Sequence, residues 1–143
     1  MPTIKRTAQA EWNGSIKEGS GSLSAPGGAL KNTPYSFSSR FENANGTNPE
    51  ELIAAAHAGC FTMALSFIMS NAGIKPSKLA TTATLSMEQV DQGWQISAIH
   101  LDVSGYVPGI DAARFQQLAA EAKANCPVSK VLNAKITMDA KLT

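Results

Sequence analysis

The chain has 143 residues, 43% of them hydrophobic and 16% charged, with a formal charge of +1. That is enough chain for one globular domain with a real core, expected to span residues 1–143 without a linker or repeat. The charge is spread with no Lys/Arg run, so neither a nucleic acid nor a membrane surface is expected as a partner.

The opening "MPTIKRTAQAEW" lacks the apolar stretch of a secretory leader, and no apolar run is expected to reach the ~18 residues of a membrane span. A cytoplasmic location follows as an expectation. Thiols stay reduced there, so Cys60 and Cys126 are expected to join only transiently and for chemistry.

Residues 3–12 alternate, with Ile4, Ala8, Ala10 and Trp12 on one side, and predict a half-buried strand. "IKEGSGSLS" predicts a hairpin turning at Gly19, Ser20 and Gly21. "APGGALKNTP" is loop, and "YSFSSRF" is expected to be a third strand anchored by Tyr35, Phe37 and Phe41. The period then changes to that of a helix over "EELIAAAHAGCFTMALSFIMSNAG". Thr47 or Asn48 can cap it, Pro49 suits its first turn, Glu50 and Glu51 suit its positive end, and Asn71 and Gly73 close it. Its expected stripe is Ile53, Ala56, Cys60, Met63, Ala64 and Phe67, and its other faces are almost as apolar. Such a helix belongs at the centre of something larger than a two-layer monomer.

"KLATTATLSME" and "WQISAIHLDVSGYV" predict paired strands, with a bulge where the phase slips between Ala98 and Ile99. Asp111 can cap a helix that buries Phe115, Leu118, Ala119 and Ala122. "NCPVSKVLN" starts a short helix with Pro127 at its first position, and "AKITMDAKL" closes the chain as a strand. The order βββ-α-ββ-α-α-β has its strands clustered, which is an α+β class.

Cys126 at a helix start feels unpaired amides that favour a thiolate, whereas burial along the helix stripe raises the Cys60 pKa. Residue physics therefore makes Cys126 the better nucleophile, and two thiols packed as small hydrophobes are an equally open reading. Arg40 in "SSRFE" is the candidate cation and Glu50 in "NPEEL" the candidate carboxylate, although each also suits a plain surface or dipole role. His57 can assist a thiolate or serve as a hydrogen-bonded core residue. His57, Cys60, His100 and Cys126 are all the His and Cys present, but they lack the close spacing of zinc ligands, so no metal and no cofactor is expected. A non-catalytic small-ligand-binding module with packing cysteines is the alternative.

"RFE" (40–42), "GTNPEELIAAAHAGCFTMALS" (46–66), "VPGID" (107–111) and "NCPVSKVL" (125–132) together resemble the OsmC/Ohr family, over nearly the whole chain and with both cysteines in context. The resemblance implies an OsmC-like fold, antiparallel sheets wrapped around a long central helix, in an intertwined homodimer. It implies a stress-response peroxidase that reduces organic hydroperoxides, and hydrogen peroxide less well. On that resemblance Cys60 attacks the peroxide, Cys126 resolves the sulfenic acid, and Arg40 and Glu50 tune the thiolate. His57 matches the osmotically inducible branch, where the organic-hydroperoxide-resistance branch usually has an aromatic. An external dithiol, with lipoylated proteins as the implied form, would restore both thiols. Glu50 and Cys60 are ten residues apart on one helix, ~15 Å along its axis, so a Glu50 serving Cys60 must come from the other subunit. The active sites are then expected at the subunit interface.

Overall fold

The computed structural model describes residues 2–143, which divide into two compact units that meet in sequence between Leu52 and Ile53. The fold is mixed α+β, with two three-stranded sheets and one long helix.

In the first unit, β1 (Gln9–Asn13), β2 (Ser20–Ser24) and β3 (Thr33–Tyr35) form an antiparallel sheet in chain order. The expected strand over 3–12 shortens at its start, because residues 2–8 have no regular structure and Ile4 is exposed. The partner strand β2 ends at Ser24, just before Pro26, whose missing N–H cannot extend a ladder. The turn also moves. It lies over 14–19, where Gly14 takes φ +95° and the Gly19 amide donates to the Ser15 carbonyl at 2.8 Å. Gly21 is instead a strand residue opposite Trp12, and a Cβ there would come within 2.6 Å of the Trp12 ring and 2.5 Å of Tyr35.

The expected third strand ends at Tyr35. Ser36 caps a one-turn helix, α1 (Phe37–Phe41): its hydroxyl accepts from the Ser39 amide at 3.1 Å, and its own amide donates to the Ser39 hydroxyl at 2.7 Å. Two serines at capping-box spacing overrode the alternation, so Arg40 sits on a helix and not on a strand. Ser39 also donates to the Thr47 carbonyl at 2.8 Å, and Asn48 Nδ2 donates to the Ser39 carbonyl at 2.9 Å. These bonds tie α1 to the start of α2 (Pro49–Asn71), where Asn48 accepts the Glu51 amide at 2.7 Å as the expected cap.

In the second unit, β4 (Lys78–Val90) and β5 (Gly93–Tyr106) form a long hairpin with a bulge whose extra residue is Ser97, just before the expected slip at Ala98 and Ile99. Next come α3 (Ala112–Asn125), capped by Asp111, and α4 (Pro127–Val131), with Cys126 at its N-cap. β6 (Lys135–Leu142) then pairs with β5 in parallel. The expectation of purely antiparallel sheets fails at this pair, because the helical crossover between β5 and β6 returns the chain to the same end of the sheet.

The second-unit core joins Phe61, Leu65 and Met69 of α2 to Ile99, Leu101 and Val103 of β5, and to Phe115, Leu118, Ala119 and Ala122 of α3. Along α2 the buried seam is therefore His57, Phe61, Leu65 and Met69, each fully inaccessible, while Met63 and Phe67 of the expected stripe are 76% and 67% exposed. A helix apolar on every side offers no preferred face, and a histidine heading the true seam disguised it. The helix ends with Gly73 at φ +75° and the Ile74 amide donating to the Met69 carbonyl at 2.8 Å, a Schellman closure. The expectation that no apolar run reaches membrane-span length is corrected here: at 23 residues, α2 is long and apolar enough to cross a membrane. What it does instead is carry four side chains of the second unit's interior.

Candidate active site

Two groups of the expected side chains come together, one in each unit. In the second unit, Cys60 of α2 and Cys126 share a hydrogen bond with their sulfurs 2.8 Å apart, although they stand 66 positions apart in the chain. Both are free thiols; Cys126 is fully buried and Cys60 only partly so. Cys60 opens onto a cavity of about 660 Å³. Met63, Ala64, Phe67 and Ile68 form its apolar side, and Asn71, Glu121 and Asn125 its polar edge. Cys126 is absent from that wall, although the next residue, Pro127, is part of it.

The two thiols differ in acidity for reasons visible in their surroundings. Desolvation pushes Cys60 up, and the hydrogen bond with Cys126 adds to this, against a smaller opposing effect of the Val128 amide. Desolvation acts upward on Cys126 as well, but the Cys60 thiol, the amide and hydroxyl of Ser129 and the Val128 amide together leave it lowered. This is the ordering that residue physics gave from the sequence.

His57 lies one turn before Cys60, fully buried, with Nε2 2.8 Å from the Ser129 hydroxyl of α4. Its Nδ1 has no hydrogen-bond partner among the described residues, and burial lowers its pKa. Ser129 is the site residue that the sequence reading passed over. Its signal was its place three residues after Cys126, because N-cap and N3 side chains face each other at a helix start.

The four His and Cys do not converge. His100 stands on β5 with Nδ1 2.6 Å from the Thr137 hydroxyl and Nε2 3.3 Å from both Asp102 and Asp139. Among the described residues this trio alone brings three such donor groups within 4.8 Å, and neither cysteine belongs to it.

In the first unit, Arg40 Nε donates to Glu50 Oε1 at 2.9 Å. The arginine side chain is 41% exposed and the carboxylate 11%. The Phe41 ring lies 5.3 Å from the guanidinium. The expected cation and carboxylate thus meet as an ion pair.

An OsmC-like protein family model matches residues 42–141. The chain belongs to the OsmC family. It is 51% identical to Peroxiredoxin OsmC of Escherichia coli (strain K12) over 140 residues, 98% of each chain. It is 32% identical to Organic hydroperoxide resistance protein OhrA of Bacillus subtilis over 91 residues, 63% of this chain and 62% of that one. Among solved structures, that of the Organic Hydroperoxide Resistance Protein OhrB of Bacillus subtilis matches at a TM-score of 0.69 and 26% identity, over 94% of this chain and 98% of that one. The OsmC assignment accords with the α+β fold and makes the chain a peroxidase.

Proposed function

We propose that this peroxidase reduces organic hydroperoxides at Cys60, resolves the product with Cys126, and works as a homodimer of single OsmC-like domains. Access carries the choice of attacking thiol: Cys60 borders the apolar cavity, while Cys126 is sealed from solvent. A nucleophile must reach the peroxide before its acidity matters. The lower pKa of Cys126 then suits the second step, in which a ready thiolate 2.8 Å away meets the oxidised sulfur.

In the first step the Cys60 thiolate attacks the terminal peroxide oxygen and the O–O bond breaks. Cys60 becomes a sulfenic acid, and the departing alkoxide takes a proton to leave as alcohol. Cys126 then attacks the sulfenic sulfur, a disulfide forms, and hydroxide leaves as water. An external dithiol, such as a lipoylated protein, reduces the disulfide.

Cys60 needs help to ionise, because its own surroundings raise its pKa. A guanidinium reverses such a shift. The Arg40–Glu50 pair is suited to this, with Glu50 holding the arginine in place. Ten residues of helix, ~15 Å, separate Glu50 from the Cys60 of its own chain. We therefore assign the activating pair to the partner subunit across a two-fold axis, so that each site draws thiols from one chain and the ion pair from the other. The exposure of Met63 and Phe67 supports a pairing of the two α2 helices.

Two experiments test this reading. After one equivalent of cumene hydroperoxide, thiol titration should find no free sulfhydryl; two titratable thiols per chain would remove the disulfide step. Cys60→Ser and Arg40→Ala proteins, each inactive, should regain activity when unfolded and refolded together. Mixed dimers that form yet stay inactive would put all four residues in one chain.

A further inference from the structure

The proposed cycle leaves two polar side chains without a task, the buried His57 and the half-buried Ser129. His57 spends a histidine where the seam of α2 otherwise carries Phe61, Leu65 and Met69. Its ring reaches across to α4, with Nε2 2.8 Å from the Ser129 hydroxyl. Ser129 stands at the third position of α4 and Cys126 at its N-cap, and the Ser129 hydroxyl is one of the groups that lower the Cys126 pKa. Nδ1 is buried with no partner among the described residues. An orphaned lone pair costs less than an orphaned N–H, so the proton belongs on Nε2, where it can be donated to Ser129. The serine oxygen, satisfied by that bond, has its own O–H left to give.

We propose that His57 and Ser129 form a donor relay, imidazole N–H to serine oxygen and serine O–H to the Cys126 sulfur, that holds the resolving thiol ready as a thiolate. The relay concerns the second step only. Cys126 sulfur forms a bond to Cys60 sulfur as the S–O bond of the sulfenic acid breaks; its electron pair leaves with hydroxide, which becomes water on taking a proton. Cys126 is oxidised and Cys60 reduced, and no further reactant is required. Neutral His57 is a donor throughout, consistent with the burial that keeps it uncharged. His57 and Ser129 are positioning residues, since only Cys126 touches the reacting sulfur. Cys60 from α2 is the other titratable group against Cys126, with Glu121 of α3 farther out on the cavity wall and Lys130 exposed at the end of α4.

This inference rests on Cys126 as the resolving thiol, and its test is split so that each can fail alone. In a Cys60→Ala background, where Cys126 is the only thiol, ultraviolet titration of the thiolate reads the relay without any peroxide. Ser129→Ala and His57→Leu should each raise the midpoint, and Ser129→Thr, which keeps the hydroxyl, should restore it. With both cysteines present, the same variants should slow disulfide closure about tenfold at neutral pH without slowing the first oxidation of Cys60. His57→Gln, which keeps a donor at the same reach, should recover most of that loss. The double variant should be no slower than either single one, because both cut one chain. A Cys126 midpoint unmoved by Ser129→Ala, or losses from the two variants that simply add, would overturn the relay. A normal midpoint shift with no disulfide formed would instead keep the relay and overturn the role of Cys126.

Discussion

Attack at Cys60, as proposed, predicts a substrate preference from the cavity beside it, and the size of that preference can be worked out. The cavity's volume of about 660 Å³ accommodates an aryl-alkyl group, and four of its wall residues, Met63, Ala64, Phe67 and Ile68, are apolar. A cumyl group that buries ~80 Å² of apolar surface there gains ~2 kcal/mol at ~25 cal/mol per Å². That is ~30-fold in rate constant over hydrogen peroxide, which has no carbon to bury. Phe67 lines the wall with the only aromatic ring among its described residues and is 67% exposed, so that ring can be removed without opening the core. If it carries roughly a third of the contact, Phe67→Ala should slow oxidation of Cys60 by cumene hydroperoxide ~3-fold. Because Phe67 also lies on the face assigned to α2 pairing, any weakening of the dimer slows both peroxides alike, and the cumene-to-hydrogen-peroxide rate ratio is what should fall ~3-fold. Single-turnover kinetics with each peroxide, on wild type and Phe67→Ala, measures both ratios. Equal wild-type rates with the two peroxides, or an equal slowing of both by Phe67→Ala, would refute the apolar-pocket reasoning.

The seam of α2 gives a stability contrast: Phe61→Ala, at a fully buried position, should cost ~3–5 kcal/mol in denaturant unfolding, against under ~1 kcal/mol for Val131→Ala, exposed at the end of α4. Equal losses would mean that the seam is misassigned. His57 gives a pH dependence. Its folded pKa lies below the ordinary 6.5, so its contribution to stability is complete above 6.5 and is lost as pH falls from there through the folded value. Unfolding free energy followed from about pH 8 to about pH 5 should therefore decline more steeply in wild type than in His57→Leu, and parallel curves would contradict this. At α1, Ser36→Ala removes the capping hydroxyl beside the Arg40 helix and should cost ~1 kcal/mol. The same variant should slow the first oxidation of Cys60 while sparing disulfide closure, and an effect on closure alone would separate α1 from thiol activation.

What the sequence made legible followed from how local each signal was. The caps at Asn48 and Asp111, the closure at Gly73 and the inward face of α3 are each readable within a few residues and stand where expected, while the bulge falls at Ser97, just before the expected slip. The losses came where a local pattern had two meanings. "YSF" alternates like a strand, yet Ser36 and Ser39 close a capping box that only geometry reveals. Gly21 was taken for a turn residue when it makes room for two aromatic rings. The α2 stripe was assigned to the wrong face because little polar contrast marked one. The parallel pairing of β6 with β5 depends on a crossover of two helices, which periodicity does not encode. Of the site, Cys60, Cys126, Arg40 and Glu50 were all named from the sequence, and the fold pairs them two by two. Ser129 escaped because a serine at a helix start is ordinary until a buried histidine is found 2.8 Å from it.

The division of labour between the thiols is the centre of this account, and Cys126→Ser tests it most directly. Treated with one equivalent of cumene hydroperoxide and trapped at once with a sulfenic-acid reagent, this variant should carry one added oxygen on Cys60, at a rate close to that of the wild-type first step. It should then stall, or over-oxidise with further peroxide. If Cys126→Ser instead leaves Cys60 unoxidised while Cys60→Ser still consumes peroxide at Cys126, then acidity and not access selects the attacking thiol, and the roles assigned here are reversed.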